Sequence, residues 1–390
     1  REITCNCTLS GKNSPYRFVK WAVIYSLHLN VTGALNMPSP THNQLEELFQ
    51  EFRRHQISYR DDLATRILYS TDASIYQIEP LGVVFPRNAD ELSAAVELTA
   101  ARRIPILARG AGSSLAGQAI GAAIILDCSR HLNRILEINP EQQSATVEPG
   151  VILNSLNRAV RRFQLQFGPD PASGERATIG GSIANNATGA HSIQFGMAAD
   201  HLISVETILG NGSLANFEEI SLAEAERRSR QNNGLEARLY RACLQVRERY
   251  AEAIRQRWPR TWRRAAGYNL NYLLPWSPAA PPLWASDLPY PPISERALNL
   301  APLLAGSEGT LGVIRKATIR LVSLPRHTVL GVLSFSSLAA ACETTPAILE
   351  RKPAAVELIP ESIIKLARSV PAYAPQLGFV SQLSPDGNPA

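Results

Sequence analysis

Ile104-Pro-Ile-Leu-Ala-Arg-Gly-Ala-Gly-Ser-Ser-Leu-Ala-Gly117 runs from an apolar stretch straight into a turn of small residues. Ile104 to Ala108 reads as a buried strand, so the glycines fall where a strand stops, with Arg109 at the junction. Peptide N–H groups at such a turn can point at an anion, and the Ser113 and Ser114 hydroxyls can add hydrogen bonds. A nicotinamide-type turn is the rival, because Asp127 follows at a tempting distance. The spacing argues against it, since the strand Ala123 to Leu126 begins a few residues after Gly117, whereas a helical crossover needs about a dozen. No Gly-Lys-Ser/Thr ending of a triphosphate loop is present.

A second run of the same kind, Thr178-Ile-Gly-Gly-Ser-Ile-Ala-Asn-Asn-Ala-Thr-Gly189, follows, and a third, Gly306-Ser-Glu-Gly-Thr-Leu-Gly-Val313, precedes the apolar stretch Ile314 to Leu324. Small residues let a backbone approach a phosphate or a flat ring. Three such runs imply one large dinucleotide held along its length.

At this point the chain resembles a family. RGAGSSLAG, DPASGERATIGGSIANNATGAHS (170–192) and GSEGTLGVIRKATIRLVSLP (306–325) are similar, in order and spacing, to the FAD-linked oxidases related to vanillyl-alcohol oxidase, in the glycolate, D-lactate and D-2-hydroxyglutarate dehydrogenase branch. TRILYSTDASIYQIEPLGVVFP, RRAAGYNL and AVELIP look most like the large bacterial enzymes that join this module to an iron-sulfur module. The resemblance runs from about Met37 to the end of the chain. It implies an α+β protein: a two-subdomain PCMH-type FAD-binding domain over 61–325, with subdomains at about 61–149 and 166–325, preceded by an N-terminal helix within 37–60. Residues 326–390 would be the start of an α+β, ferredoxin-like cap, incomplete because the chain is C-terminally truncated.

By resemblance, Arg109, Gly110, Ala111, Gly112, Ser113 and Ser114 would hold the pyrophosphate of FAD, with Arg109 adding charge. Asp170 opens the second motif. Thr178, Gly180 and Gly181 would meet the ribityl chain and ring, and Asn185, Gly189, Ala190 and Ser192 the ring's edge. Gly306 to Gly312, including Glu308, Gly309 and Gly312, would pass beside the cofactor, with the Val313 and Ile314 backbone at the adenine. A carboxylate near phosphates is unfavourable, so Glu308 is expected to cap its own loop or to face the substrate side. The first loop has no histidine or cysteine, so FAD should be bound noncovalently. Thr188 stands where the family's usual loop has Cys or Gly.

The reaction implied is oxidation of a D-2-hydroxy acid to the 2-oxo acid, with hydride passing to the flavin. Tyr268 and Asn269 are candidates for the substrate side of the ring, with core packing the alternative for Tyr268. His191 alone among the seven histidines lies in a flavin motif, as a cofactor contact, a substrate contact or an ordinary residue. Catalytic residues are not identified; the resemblance puts the proton-taking histidine motif in the later part of the cap, beyond Ala390. The alternatives are a catalytically incomplete FAD-binding fragment, or a flavin-dependent NAD(P)H reductase on a similar module.

A chain of 390 residues, 45% of them hydrophobic, can bury more than one core. Five scattered cysteines make no disulfide framework, metal site or iron-sulfur ladder, so an electron acceptor would lie outside the chain and a cytoplasmic location is expected, peripheral membrane association being left open. Arginines 255 to 264 alternate with Trp258 and Trp262, but no nucleic-acid motif accompanies them. Residues 1–36 read as extraneous or disordered, their apolar run Trp21 to Val31 being too short to span a bilayer.

From Asn43 the pattern gives a helix to His55, a helix after Asn88 with a capping box to Glu91, and strands at 123–127, 134–138 and 145–148 in the smaller subdomain's mixed sheet. Val151 to Phe163 reads as a linking helix. A hairpin follows at Gly210-Asn-Gly212, then one helix over Leu222 to Arg257 and a proline-rich loop over Pro275 to Pro292. A strand-helix-strand over 328–335, 338–349 and 354–358 completes the reading.

Overall fold

The computed structural model describes residues 40–378 except 262, 265, 266, 279–281 and 283–289. The expectations for residues 1–36, for most of the proline-rich loop and for the C-terminal tail lie outside the described residues. By contact the chain divides into residues 1–45 and 46–390. Among the described residues the first unit holds 40–45, which include the start of helix α1 (His42–Arg54), and the buried side chains of that helix, Leu48, Phe49 and Phe52, belong to the second.

Strands β1 (Tyr59–Arg60), β2 (Gly82–Val84), β3 (Ile106–Arg109) and β4 (Ile124–Asp127) form a four-stranded sheet in the order β1-β2-β4-β3. Four successive buried residues make β4 its centre, parallel to both β2 and β3. The connection from β3 to the parallel β4 is the glycine-rich segment itself, with no helix in it. That places the glycines at the carboxyl ends of parallel strands, where open α/β sheets bind ligands.

Helix α2 (Leu63–Leu68) starts at Asp62, whose carboxylate accepts from the Thr65 N–H. Helix α3 (Ala89–Ala101) starts at Asn88, whose side chain accepts from the Asp90 and Glu91 N–H groups. Glu91 reaches back to the Arg87 N–H at 2.9 Å, one residue earlier than a strict capping box requires. Leu92, Ala95, Val96 and Thr99 form the buried stripe of α3.

The second sheet has five strands, β5 (Ile135–Asn139), β6 (Ser144–Val147), β8 (Leu202–Ile208), β9 (Leu214–Phe217) and β12 (Val313–Arg320), in the order β5-β6-β12-β8-β9. All of its pairings are antiparallel. Small strand pairs flank it: β7 (Leu165–Gln166) with β13 (Val322–Ser323), and β10 (Ile220–Ser221) with β11 (Ala297–Leu298). This corrects the reading that put the 134–148 strands in the first sheet. The cause is long-range: β6 pairs residue by residue with β12, and Thr146 shares a 3.0 Å hydroxyl contact with Thr318 across the pair. Helix α4 (Leu153–Val160) buries Leu153, Leu156 and Val160 in the core that this sheet shares with Phe167, Tyr240 and Tyr272.

Two further readings are corrected. Leu222 to Arg257 is three helices, Leu222–Arg230, Leu235–Arg249 and Ala251–Arg257. The first break is made by an Asn side chain competing for the backbone, Asn232 accepting from the Gly234 N–H at 2.8 Å. In the C-terminal part the helix Leu338–Leu349 forms, but neither 328–335 nor 354–358 is a strand, so the ferredoxin-like sheet expected of the cap is absent among the described residues. A strand needs a neighbour to take its N–H and C=O groups, and these segments pair with no strand among the described residues. Val329 and Leu330 are accordingly 92% and 85% exposed.

The larger core contains one feature with a measurable pH signature. His201 is fully buried beside Phe167 and contacts the Phe195 carbonyl at 2.6 Å, and burial brings its pKa down from 6.5 to about 4. Because the folded value lies below the unfolded one, the neutral ring's contribution is present above pH 6.5 and is lost as pH falls through about 4. Asp200 runs the other way, since burial raises its carboxyl above the usual range. Urea denaturation between pH 7 and pH 4 should therefore show His201→Gln losing less stability than the wild type, by on the order of 3 kcal/mol. Equal losses would contradict this.

Candidate functional site: a cleft where three glycine-rich loops meet

The segment after β3, the short helix α5 (Ile179–Ala184) with its flanks, and the turn 306–312 line one cleft of about 260 Å³. Of the residues singled out in the sequence, Arg109, Gly110, Ala111, Gly112, Ser113, Ser114, Thr178, Gly180, Gly181, Asn185, Glu308, Gly309 and Gly312 line it. Asp170, Gly189, Ala190, Ser192 and Val313 do not. Val313 is part of β12, and its carbonyl accepts from the Thr207 hydroxyl at 3.1 Å. Ser192 is buried and accepts from the Gly189 N–H at 2.7 Å.

The loops are fastened to one another. Asn185 donates to the Ser114 hydroxyl at 3.2 Å, the Gly306 and Glu308 N–H groups donate to the Ile183 and Ala184 carbonyls at 3.2 and 3.0 Å, and Gln118 reaches Glu308 at 3.5 Å. Glu308 thus faces Gln118 across the cleft and does not cap its own loop. Gly110 packs so tightly on Thr178 that a Cβ there would stand 2.2 Å from the threonine hydroxyl. That hydroxyl is itself the cap of α5, accepting from the Gly181 N–H at 3.2 Å.

Arg109 departs from the sequence reading, which gave it a phosphate-facing charge. Its guanidinium donates to the main-chain carbonyls of Tyr69, Ala119 and Thr71 at 3.3, 2.9 and 2.9 Å, and it stacks over the Tyr69 ring. Tyr69 donates to Asp127 at 2.5 Å at the end of β4, and the Ala73 N–H donates to the Gly112 carbonyl at 3.0 Å. The 69–73 segment, which the sequence reading left without a role, is the clamp on the first loop. Its polar run Ser70-Thr-Asp72 directly after Ile67-Leu-Tyr69 is the sequence signal that could have marked it.

With those carbonyls occupied, the loop's donors are left over. The main-chain N–H groups of Gly110 to Ser114 have no acceptor among the described residues. A run of such donors at a strand end is an anion-binding concavity. Apart from Glu308 at one edge and the committed Arg109, the lining is small or neutral, which suits close approach of a long cofactor with a diphosphate in its middle. Cys128 lies in the floor, but it is buried and its thiol is pushed up to about 12, so it is no nucleophile.

Tyr268 and Asn269 do not line the cleft. Asn269 is buried and donates to the Pro302 and Ala305 carbonyls at 3.2 and 2.8 Å, a structural role, while Tyr268 pairs with the Thr310 hydroxyl at 2.9 Å. No group of His, Cys, Asp and Glu among the described residues could hold a metal ion, and no helix among them is long and apolar enough to cross a membrane.

Comparison with known proteins agrees with the donor set. Residues 80–218 match an FAD binding domain, so the chain is a flavoprotein whose cofactor is FAD. The chain is 32% identical over 333 residues to D-2-hydroxyglutarate dehydrogenase of Escherichia coli K12, covering 84% of this chain and 30% of that protein. It is 29% identical to glycolate oxidase subunit GlcD of Bacillus subtilis 168, over 77% of this chain and 50% of that one. With the probable mitochondrial D-lactate dehydrogenase of Danio rerio it shares 29% identity over 74% of its length and 44% of the relative's. The chain thus spans about a third of the length of the dehydrogenase and about half that of the oxidase subunit. Alkyldihydroxyacetonephosphate synthase shares the fold, with a TM-score of 0.51 and 17% identity over 82% of this chain and 48% of that structure.

Proposed function

We propose that the chain is the flavin-holding part of an oxidoreductase that converts a D-2-hydroxy acid into the 2-oxo acid. The observation that carries this reading is the convergence of three small-residue loops on one cleft whose free N–H groups sit at a parallel strand end. The free N–H groups of Gly110 to Ser114 hold the diphosphate. The backbone at Thr178 to Gly181 lies along the ribityl chain, and Asn185 and the 306–312 turn close the cleft on its other sides.

Bound FAD supplies the hydride acceptor, and the chain's own residues hold it in place. The relatives' names put 2-hydroxy acids first among candidate substrates, with D-2-hydroxyglutarate, glycolate and D-lactate the three to be compared. Electrons leave to an acceptor outside this chain.

The test is direct. Purified protein should carry FAD that acid denaturation releases completely, since neither the first loop nor the buried Cys128 offers a point of attachment. Anaerobic addition of one of the three acids should bleach it. Flavin that stays with the polypeptide contradicts noncovalent binding, and failure of all three acids to bleach FAD contradicts the substrate class.

A further inference from the structure

Helix α3 meets the second sheet at two points. Its middle lies against the β8–β9 hairpin, where a Cβ added to Gly212 would stand 3.0 Å from the Glu97 Cα. Its first turn is held by Arg315 of β12. The Arg315 guanidinium donates to the Ala89 carbonyl at 3.2 Å, to the Asp90 carboxylate at 2.5 Å and to Glu206 of β8, which Lys316 also meets at 3.0 Å. One side chain thus ties the helix of the first sheet to two strands of the second.

Arg315 can reach α3 because β12 is irregular there. Ile314 pairs with Thr207 and Lys316 with Glu206, so Arg315 is an extra residue with no partner in β8. A bulge of this kind re-aims a side chain, and bulges are frequent beside functional sites. Gly312 and Ile314, just before it, line the cleft, whereas Arg315 itself does not. At the other end of the clasp, α3 follows the carboxyl end of β2, the same edge of the parallel sheet that carries the glycine-rich turn after β3. The clasp therefore joins the wall after the third loop to the edge that holds the first loop. The Arg315 and Glu206 side chains are 19% and 17% exposed, so this pair is poorly screened, while Asp90 is 90% exposed.

We propose that Arg315 is a positioning residue for the adenosine half of FAD: by clasping the first turn of α3 it holds the Gly312 to Ile314 wall at the separation from the first loop that a dinucleotide spans. This rests on the functional reading above, with that wall beside the adenosine half of the cofactor. FMN ends at its phosphate and needs only the first two loops, so the clasp bears on FAD and not on FMN. A wall already held in place need not be ordered when the dinucleotide binds.

The flavin-free whole chain and its variants Arg315→Met, Arg315→Lys and Asp90→Asn are titrated with FAD and with FMN, followed by flavin fluorescence. The two Arg315 variants should bind FAD at least about tenfold more weakly than wild type and FMN within about threefold of it. Lysine should fail with methionine, because one ammonium group cannot hold Glu206 and the first turn of α3 together. Asp90→Asn, at an exposed carboxylate, should show the same selective loss at about threefold or more, and should add nothing to Arg315→Met in the double variant.

FAD affinity of Arg315→Met within about threefold of wild type overturns the proposal. So does wild-type FAD affinity in Arg315→Lys, and so does an equal loss for FAD and FMN, which an ion pair that only stabilises the fold would give. Should Arg315→Met not fold, Asp90→Asn decides, and an FAD affinity unchanged from wild type there overturns the proposal. In each of these cases the functional reading stands. A wild type that binds no FAD overturns both.

Discussion

Valine at position 110 is expected to weaken FAD binding by at least about 100-fold, close to 3 kcal/mol, while leaving far-ultraviolet circular dichroism near that of wild type. The first and second loops touch at this point, where an added Cβ would stand 2.2 Å from the Thr178 hydroxyl. Something must move, and the Thr178 hydroxyl that gives way also caps α5. The loops would separate and the cap would loosen together. A double-mutant cycle isolates the contact: Gly110→Ala alone should lose affinity, and Thr178→Gly added to it should recover at least about tenfold, because glycine is a tolerable cap and removes the obstructing side chain. Strictly additive losses would mean that the two residues do not meet. Gly112→Val belongs to a different class, since Gly112 has a φ of +67° that a β-branched residue adopts only under strain.

The second large effect concerns Arg109, and its direction separates two roles. If the guanidinium works by clamping the carbonyls of Tyr69, Thr71 and Ala119, lysine cannot replace it, because one ammonium group cannot span three acceptors set around a planar fork. Arg109→Lys and Arg109→Met should then both lose at least about 30-fold in FAD affinity and several degrees in Tm, hydrogen bonds to a charged group being worth up to about 1.5–3 kcal/mol each and these being only partly buried. A lysine variant that keeps wild-type FAD affinity while methionine loses it would restore the phosphate-facing role. Isothermal titration with FAD at two salt concentrations reads out both cases.

These two residues also mark how far the sequence carries. The glycine-rich runs were legible because chemistry at a phosphate demands small residues at short range, and that demand is written locally. The α3 stripe and the hairpin at Gly210-Asn-Gly212 were legible for the same reason, each following from a cap or turn and a period within a dozen residues. What Arg109 binds was not legible. Two of its three partners are carbonyls some 40 residues back in the chain, and a carbonyl has no sequence signature.

The same limit explains the assignment of β5 and β6, whose alternating pattern announces strands but whose neighbour β12 lies more than 160 residues downstream. Leu222 to Arg257 was read as one helix because it is rich in Ala, Glu and Arg, while the Asn232-Asn-Gly234 run inside it ends the first segment, Asn232 bonding to the Gly234 N–H. In 328–358 the strand pattern is present without a partner strand, and the segments remain unpaired. Asp170 and His191 were both picked out in the second motif, but their joining depends on how the chain between them folds back, and that is visible only in the structure.

The central claim is that the three loops form one site for a dinucleotide, held through its diphosphate as well as its ring. Titration of the flavin-free protein with FAD and with FMN, followed by flavin fluorescence, tests it most directly. The account predicts one equivalent of FAD bound at least about 100-fold more tightly than FMN, and loss of that preference in Gly110→Val; equal affinities for the two flavins, or a preference for FMN, would contradict it.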